Sequence, residues 1–184
     1  MDGFFSEIKV SDGVLEMRPL TIEDREGLYQ AASDPATWAQ HPAKGRYQRE
    51  AFWPYFDFLL HAGDVLVAVE AESGRIIGCS RFYAVPDQPG DVAIGFTFLD
   101  RAYWGGSWNR RMKALMVGHV LETRPRVWLH IAPDNLRSQI ASTRLGAVHQ
   151  YDAELDLGTG LAPYKCYTIT ADSWAAAMAE RAGA

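Results

Sequence analysis

The stretch DVAIGFTFLDRAYWGGSWNRRMKALMVGHVLE, residues 91–122, reads as a strand, a glycine loop and a helix in succession. Along the strand Val92, Ile94, Phe96 and Phe98 alternate with Ala93, Gly95, Thr97 and Leu99, the period of an extended chain with two different faces. One face is bulky and the other mostly small. A small face beside a glycine loop lets another group come close to the backbone. After the loop Tyr103-Trp104-Gly105-Gly106-Ser107, apolar residues fall at Trp108, Met112, Leu115, Met116 and Val120, the spacing of a helix with one buried side.

The junction of loop and helix suits an anion. The first turn of a helix carries backbone N–H groups without intrahelical partners, and the macrodipole puts partial positive charge there. Glycines let the preceding loop curl so that further N–H groups converge, which makes a seat for a phosphate or pyrophosphate. Taken alone, the glycines are more readily read as a turn that merely joins the two elements, because short glycine motifs match by accident.

Outward from this centre, residues 14–18 form a strand stopped by Pro19. Thr21 caps a helix reaching Ala32, with Asp24 placed for a capping box. Residues 33–50 read as loop and carry Trp38, His41 and Tyr47. A second helix, residues 49–61, has Pro54 near its first turn and is rich in aromatics: Phe52, Trp53, Tyr55, Phe56 and Phe58. Such residues form a core layer or a pocket wall, and helical spacing favours the core. Strands follow at 65–71 and 76–85, with turns at 72–75 and 86–90. Beyond the central helix come a strand at 126–132, a helix from an Asp134 cap to Leu145 closed by Gly146, and a hairpin of residues 147–157 and 163–170. Asp172 or Ser173 opens a last helix. This order predicts an α/β (α+β) fold, a mixed and mostly antiparallel sheet of about seven strands with helices on both faces.

The 184 residues suit one domain, residues 1–184, and are 48% hydrophobic and 22% charged, as in soluble globular proteins. A net charge of −5 argues against a nucleic-acid binder working by bulk electrostatics and mildly favours cationic amines as ligands. Cys79 and Cys166 sit in strand-like runs without metal-ligand spacing and read as buried thiols of a reducing compartment. No apolar run reaches membrane-spanning length, and MDGFFSEIKVSDG lacks a basic region followed by an apolar core, so a cytoplasmic protein is expected.

Four pieces, LEMRPLTIEDREGLYQAASD, IGFTFLDRAYWGGSWNRRMK, DNLRSQIASTRLGAV and YKCYTITADSW, stand in the order in which the GNAT N-acetyltransferases carry similar ones. The chain resembles that family over nearly its whole length, and most of all the branch that acetylates ribosomal-protein N-termini. The resemblance implies an enzyme that transfers an acetyl group from acetyl-CoA to a primary amine, by direct attack on the thioester. The acceptor would be a protein N-terminus or a small molecule, and a homodimer stays open. Acetyl-CoA would lie in a V-shaped opening between the strands at 94–99 and 127–132. Backbone groups of Phe98 and Leu99 would pair with the pantetheine arm. N–H groups of Trp104, Gly105, Gly106, Ser107, Trp108 and Asn109 would cradle the pyrophosphate. Asn135 would hydrogen-bond the pantetheine, and Ser138 would sit near the sulfur.

The family's loop pattern is Q/R-x-x-G-x-G/A. Here Trp104 stands in its first slot, Ser107 where a second glycine is usual, and Asn109 in the last. Ser142 occupies the slot of a tyrosine acid found in many relatives, and Ala93 that of an acidic residue before Ile-Gly. An ammonium ion must lose a proton before its nitrogen attacks, so a base is needed, and the oxyanion needs donors that strand N–H groups supply. Asp91 lies on the face of Ala93 and Gly95 and can replace the missing carboxylate; its plainer reading is a solvated turn residue. His130 in the strand at 126–132 is the second candidate base, against a structural histidine. Ser138 is the candidate acid for the departing thiolate, against a small residue on a buried helix side. No metal is expected. A non-catalytic acyl-CoA-binding domain is the alternative, favoured by Ala93.

Overall fold

The structure is a computed structural model that describes residues 7–41 and 43–182. The segment read above for a leader therefore lies, up to residue 6, outside the described residues. Among the described residues run β1 (Val10–Ser11), β2 (Leu15–Pro19), α1 (Arg25–Ala32), α2 (Pro35–Trp38), α3 (Arg49–Ala62), β3 (Val65–Glu70), β4 (Ile76–Ala84) and β5 (Val92–Leu99). Then follow α4 (Trp108–Leu121), β6 (Arg126–Ile131), α5 (Leu136–Thr143), β7 (Val148–Asp156), β8 (Leu161–Thr170) and α6 (Ala171–Ala182). The hydrogen-bonded strand order is β1-β2-β3-β4-β5-β6-β8-β7. Neighbours from β1 to β4 and from β6 through β8 to β7 are antiparallel, whereas β5 runs parallel to β6 with Ala93 opposite Trp128. The mixed, mostly antiparallel sheet thus follows the expected order, with the two-residue β1 added at its edge. Two residues are too few to show a period in the sequence.

Two compact units divide the chain, and β4, β5 and α4 each pass from one to the other. The first comprises Met1–Phe82 and Phe96–Leu115. Its core joins Leu28, Ala31 and Ala32 of α1 and Phe52, Tyr55, Phe56 and Leu59 of α3 to Val65, Val67, Val69, Cys79 and Phe98 of the strands. The helical residues recur every three or four positions and those of β3 every two, so each element turns one face inward. Phe52 and Phe56 are fully buried, each contributing about 1.5–3 kcal/mol by removal from water. The aromatics of α3 are therefore mainly core, with Trp53 and Phe58 at its rim.

Asp24 anchors the start of α1. Its carboxylate accepts two hydrogen bonds from Arg18, at 2.7 and 2.8 Å, and one from the Thr21 backbone N–H at 2.8 Å. Burial alone would raise its pKa, but these donors hold it below the usual carboxylate range. Three local readings change. The loop at 33–50 contains α2, where Asp34 caps the Ala36 N–H at 2.7 Å and Pro35 supplies a preset φ. Pro54 lies inside α3 rather than in its first turn, on the exposed side of the helix. Asn135, not Asp134, caps α5, because its Oδ1 accepts from the Ser138 N–H at 3.2 Å.

The second unit comprises Tyr83–Gly95 and Met116–Ala184. Its centre is β6, buried from Val127 to Ile131 on both faces. The β7–β8 hairpin closes through Asp156, whose Oδ1 accepts from the N–H groups of Gly158 and Gly160 at 2.8 and 3.0 Å. Gly146, at φ +88°, ends the α5 segment where a β-carbon would stand 2.3 Å from the Ser173 carbonyl oxygen, so only glycine lets α6 begin there. Both cysteines are fully buried and free, and burial pushes the Cys166 thiol up to about 11 and Cys79 higher still. Among the described residues no helix is long and apolar enough to cross a membrane.

Candidate active site

Between β5 and α4 the chain turns through a short 3₁₀ segment, Arg101–Tyr103, begun by Asp100, whose Oδ1 accepts from the Ala102 N–H at 2.9 Å. The Trp104 indole then donates to the Leu99 carbonyl at 3.0 Å and folds the loop back on the strand end. Gly105 adopts φ +77°, a left-handed conformation that a branched residue resists, and nothing lies within 4 Å of its missing β-carbon. Gly105 and Gly106 are exposed. The first turn of α4 contains no acidic residue. It carries Arg110, which is exposed, and Arg111, which pairs with Asp12 at 2.6 Å. Cations at a helix N-terminus oppose the macrodipole by about 0.3–1 kcal/mol each, an arrangement that favours an anion docking there. Residues 104–109 thus lie together at an open helix N-terminus.

The backbone partners expected at Phe98 and Leu99 are partly engaged. The Leu99 carbonyl holds Trp104, and the Phe98 carbonyl lies so near Gly78 that a β-carbon there would stand 2.1 Å away. Within β5, Phe96 takes φ +52°. A bulky L-residue in this region costs roughly 1–3 kcal/mol and interrupts the two-residue period, so the unbroken alternation read across 92–99 fails at Phe96.

Lys113 was not among the residues singled out by sequence. It lies three residues before Met116 and four before Val117, on the buried side of α4, and is only 8% exposed. Its ammonium donates to Thr97 Oγ1 at 3.0 Å, and Thr97 Oγ1 stands 2.6 Å from Ser80 Oγ. Burial without a carboxylate beside it lowers its pKa to about 7.

In the second unit the sequence candidates diverge. Asp91 is an ion-paired residue: one carboxylate oxygen accepts from Arg126 Nε and from Trp128 Nε1, both at 2.7 Å. Burial pushes its pKa up, but the Trp128 and Arg126 hydrogen bonds outweigh this and hold it below the usual range, which weakens it as a proton acceptor. His130 is 9% exposed, and burial lowers its pKa to about 4, so it is neutral at pH 7. Its Nδ1 lies 3.0 Å from the Tyr83 hydroxyl, while its Nε2 is buried without a hydrogen-bond partner. Trp128 stacks on the imidazole at 6.2 Å, and Tyr164 meets it edge-on at 6.3 Å. The sequence left Tyr83 out. A β-carbon on Gly95 would meet Tyr83 Cε1 at 2.9 Å and its hydroxyl at 3.0 Å, so Tyr83 is what approaches the small face of β5. A glycine in a strand was the available signal.

Asn135 and Ser138 are joined by the cap of α5 and are half-buried, and Ser142 is buried one turn further on. Among the described residues no group of three or more His, Cys, Asp or Glu could hold a metal ion.

A family model described as acetyltransferase (GNAT) domain matches residues 15–148. A GCN5-related N-acetyltransferase from Brucella melitensis superposes with a TM-score of 0.79 at 15% identity, covering 96% of this chain and 85% of that one. An acetyltransferase of the GNAT family from Bacillus anthracis gives 0.70 at 13%, covering 89% and 98%. Mycobacterium smegmatis RimJ in complex with CoA-disulfide gives 0.64 at 16%, covering 92% and 90%. At these identities the likeness shows the fold alone. None of the curated proteins matches the chain.

Proposed function

The chain belongs to the acetyltransferase (GNAT) family, and from that premise we propose that it moves an acetyl group from acetyl-CoA to the primary amine of a peptide N-terminus or small molecule. The observation that carries the donor is the open glycine loop, with Gly105 left-handed and two arginines on the first turn of α4. The pyrophosphate sits on the N–H groups of residues 104–109. Asn135 holds the pantetheine, and the single domain 1–184 works in a reducing, cytoplasmic setting, which suits two buried free thiols.

The neutral amine attacks the thioester carbonyl carbon. The C–S bond breaks as the tetrahedral oxyanion collapses, and strand backbone N–H groups stabilise that oxyanion. The departing thiolate takes a proton from the Ser138 hydroxyl, which regains one from solvent. The acceptor's proton passes to the Tyr83 oxygen as the Tyr83 proton passes to His130 Nδ1, across their 3.0 Å contact. Burial keeps the imidazole neutral at pH 7, and the same lowered pKa makes it a weak base that relies on its contact with Tyr83. Asp91 supports β6 instead of serving as base, since its carboxylate is committed to Arg126 and Trp128.

The acyl-CoA-binding alternative keeps one observation in its favour, Ala93 fully buried where relatives carry an acid. Thermal denaturation with CoA, followed by thioester turnover with a panel of amines, separates the readings. A rise in melting temperature with turnover is expected, because a ligand bound to the folded state stabilises it by mass action. Gly105→Val should abolish most of that rise. No shift at millimolar CoA overturns the donor assignment, and a shift without turnover selects the binding domain.

A further inference from the structure

We infer that Arg46, lying on the ring of Tyr55, is a recognition site for a carboxylate, so that the amine this enzyme acetylates carries a carboxylate of its own. The substrate half of this statement rests on the proposed acetyl transfer; the binding half does not.

Arg46 sits in the 3₁₀ turn Lys44–Tyr47 ahead of α3. Its guanidinium carbon stands 3.7 Å above the Tyr55 ring and 5.4 Å from that of Trp38, and both rings belong to the buried core. The rings take the flat faces of the guanidinium and leave its N–H edges for other partners. The polar contact on those edges is His41 Nε2, 3.5 Å from one terminal nitrogen. Arg18, Arg25, Arg49, Arg75, Arg111 and Arg126 each pair with a carboxylate; Arg46 pairs with none among the described residues. Desolvation lowers its pKa, Tyr55 and Cys79 oppose this in part, and no carboxylate does. Taking a guanidinium out of water without a counter-ion is costly, and a ligand carboxylate supplies what the chain does not.

A second arginine stands near these rings. Tyr55 stacks on Phe58 at 6.4 Å and an interplanar angle of 17°. Arg81 lies 5.8 Å from the Phe58 ring and 5.3 Å from that of Phe96, the residue at the kink of β5. Arg81 holds the end of α3 through the carbonyls of Ala62 and Gly63. Both arginines act on the Tyr55 hydroxyl, and no carboxylate does. A diamine would be repelled here despite the net charge of −5, because charges more than a Debye length away are screened and local ones are not. A carboxylate matches the guanidinium fork with two parallel hydrogen bonds.

A purely structural Arg46, stapling its turn to α3, predicts no ligand selectivity. The test titrates matched pairs, glycine with glycinamide and phenylalanine with phenylalaninamide, into CoA-saturated protein by calorimetry. At least one carboxylate should bind tenfold or more tightly than its amide. Arg46→Met, which keeps the apolar stem, should abolish the difference without changing CoA affinity, and Arg46→Lys should restore part of it. Selectivity of the wild-type chain is decisive even if Arg46→Met does not fold: if neither carboxylate is preferred, the proposal falls. A preference that survives in Arg46→Met also overturns it. Carboxylate binding without acetylation of any amine would instead sink the transfer reading and leave this site standing, whereas turnover of both amides and acids at equal rates would do the reverse.

Discussion

The aromatic cluster on α3 and the one on β6 carry their polar groups in opposite ways. On α3, Arg46 and Arg81 lie against ring faces, and Arg46 has no carboxylate beside it. On β6, the imidazole of His130 lies among Trp128, Tyr164 and Tyr83, and the nearby acids already serve other donors, Asp91 on Arg126 and Trp128, Asp87 on the Tyr151 hydroxyl at 2.8 Å. Desolvation treats the two bases differently. A guanidinium stays charged when its hydration is stripped, so it seeks an anion. An imidazole gives up its proton and stays neutral, able to accept a hydrogen bond but weak as a base. One cluster is thus built to hold a negative group and the other to keep its base uncharged.

The strongest way to break that contrast is His130→Ala. If the imidazole takes the acceptor's proton, turnover at neutral pH should fall by about 10²–10⁴. CoA affinity should stay nearly unchanged, and higher pH should return part of the rate, because the amine then arrives deprotonated. A loss below about threefold would make His130 a packing residue and leave only the α3 cluster functional.

Lys113 sharpens the comparison, because it is a buried base whose ammonium donates to a hydroxyl, that of Thr97. Its pKa is about 7 in the folded chain and 10.5 ordinarily, so between these values the unfolded chain holds a proton that the folded chain lacks. Stability from this group therefore rises with pH across that window, by up to about 1.4 kcal/mol per pH unit, and is least below it. Lys113→Met should exceed the wild type in stability most at pH 6 and lose that advantage towards pH 10, as read from urea midpoints. A difference independent of pH would mean that the ammonium is not desolvated as its burial implies.

The smallest effect is expected at Asp91. Asp91→Asn should change turnover less than about threefold, since its carboxylate is already engaged. It should cost about 1–3 kcal/mol of stability, from the charge-assisted bonds to Arg126 and Trp128. A larger kinetic loss, recovered at high pH, would return the base to Asp91.

Much of this was legible from residue order. The extended run that leads into β5, the Gly-Gly turn and the helical spacing of Met112, Met116 and Val120 located the loop and α4, and the aromatic spacing of α3 predicted a core layer. What escaped was of two kinds. Short elements such as β1 and α2 hold too few residues to show a period. Long-range partners leave no trace in neighbouring letters: Tyr83 stands 47 positions from His130, and Asp91 stands 35 and 37 from its two donors.

By itself the sequence determined the order of elements and the family, because period, glycine placement and capping act over a few residues along the chain. Which carboxylate is free, which base is neutral and which arginine lacks a counter-ion were decided only in the tertiary structure. A side chain's protonation and pairing depend on its burial and on groups brought close by the sheet, and distance along the chain says nothing of either. So the letters of Asp91 and His130 offered a first and a second candidate base, and packing tied one to Arg126 and Trp128 while it left Nε2 of the other without a partner among the described residues.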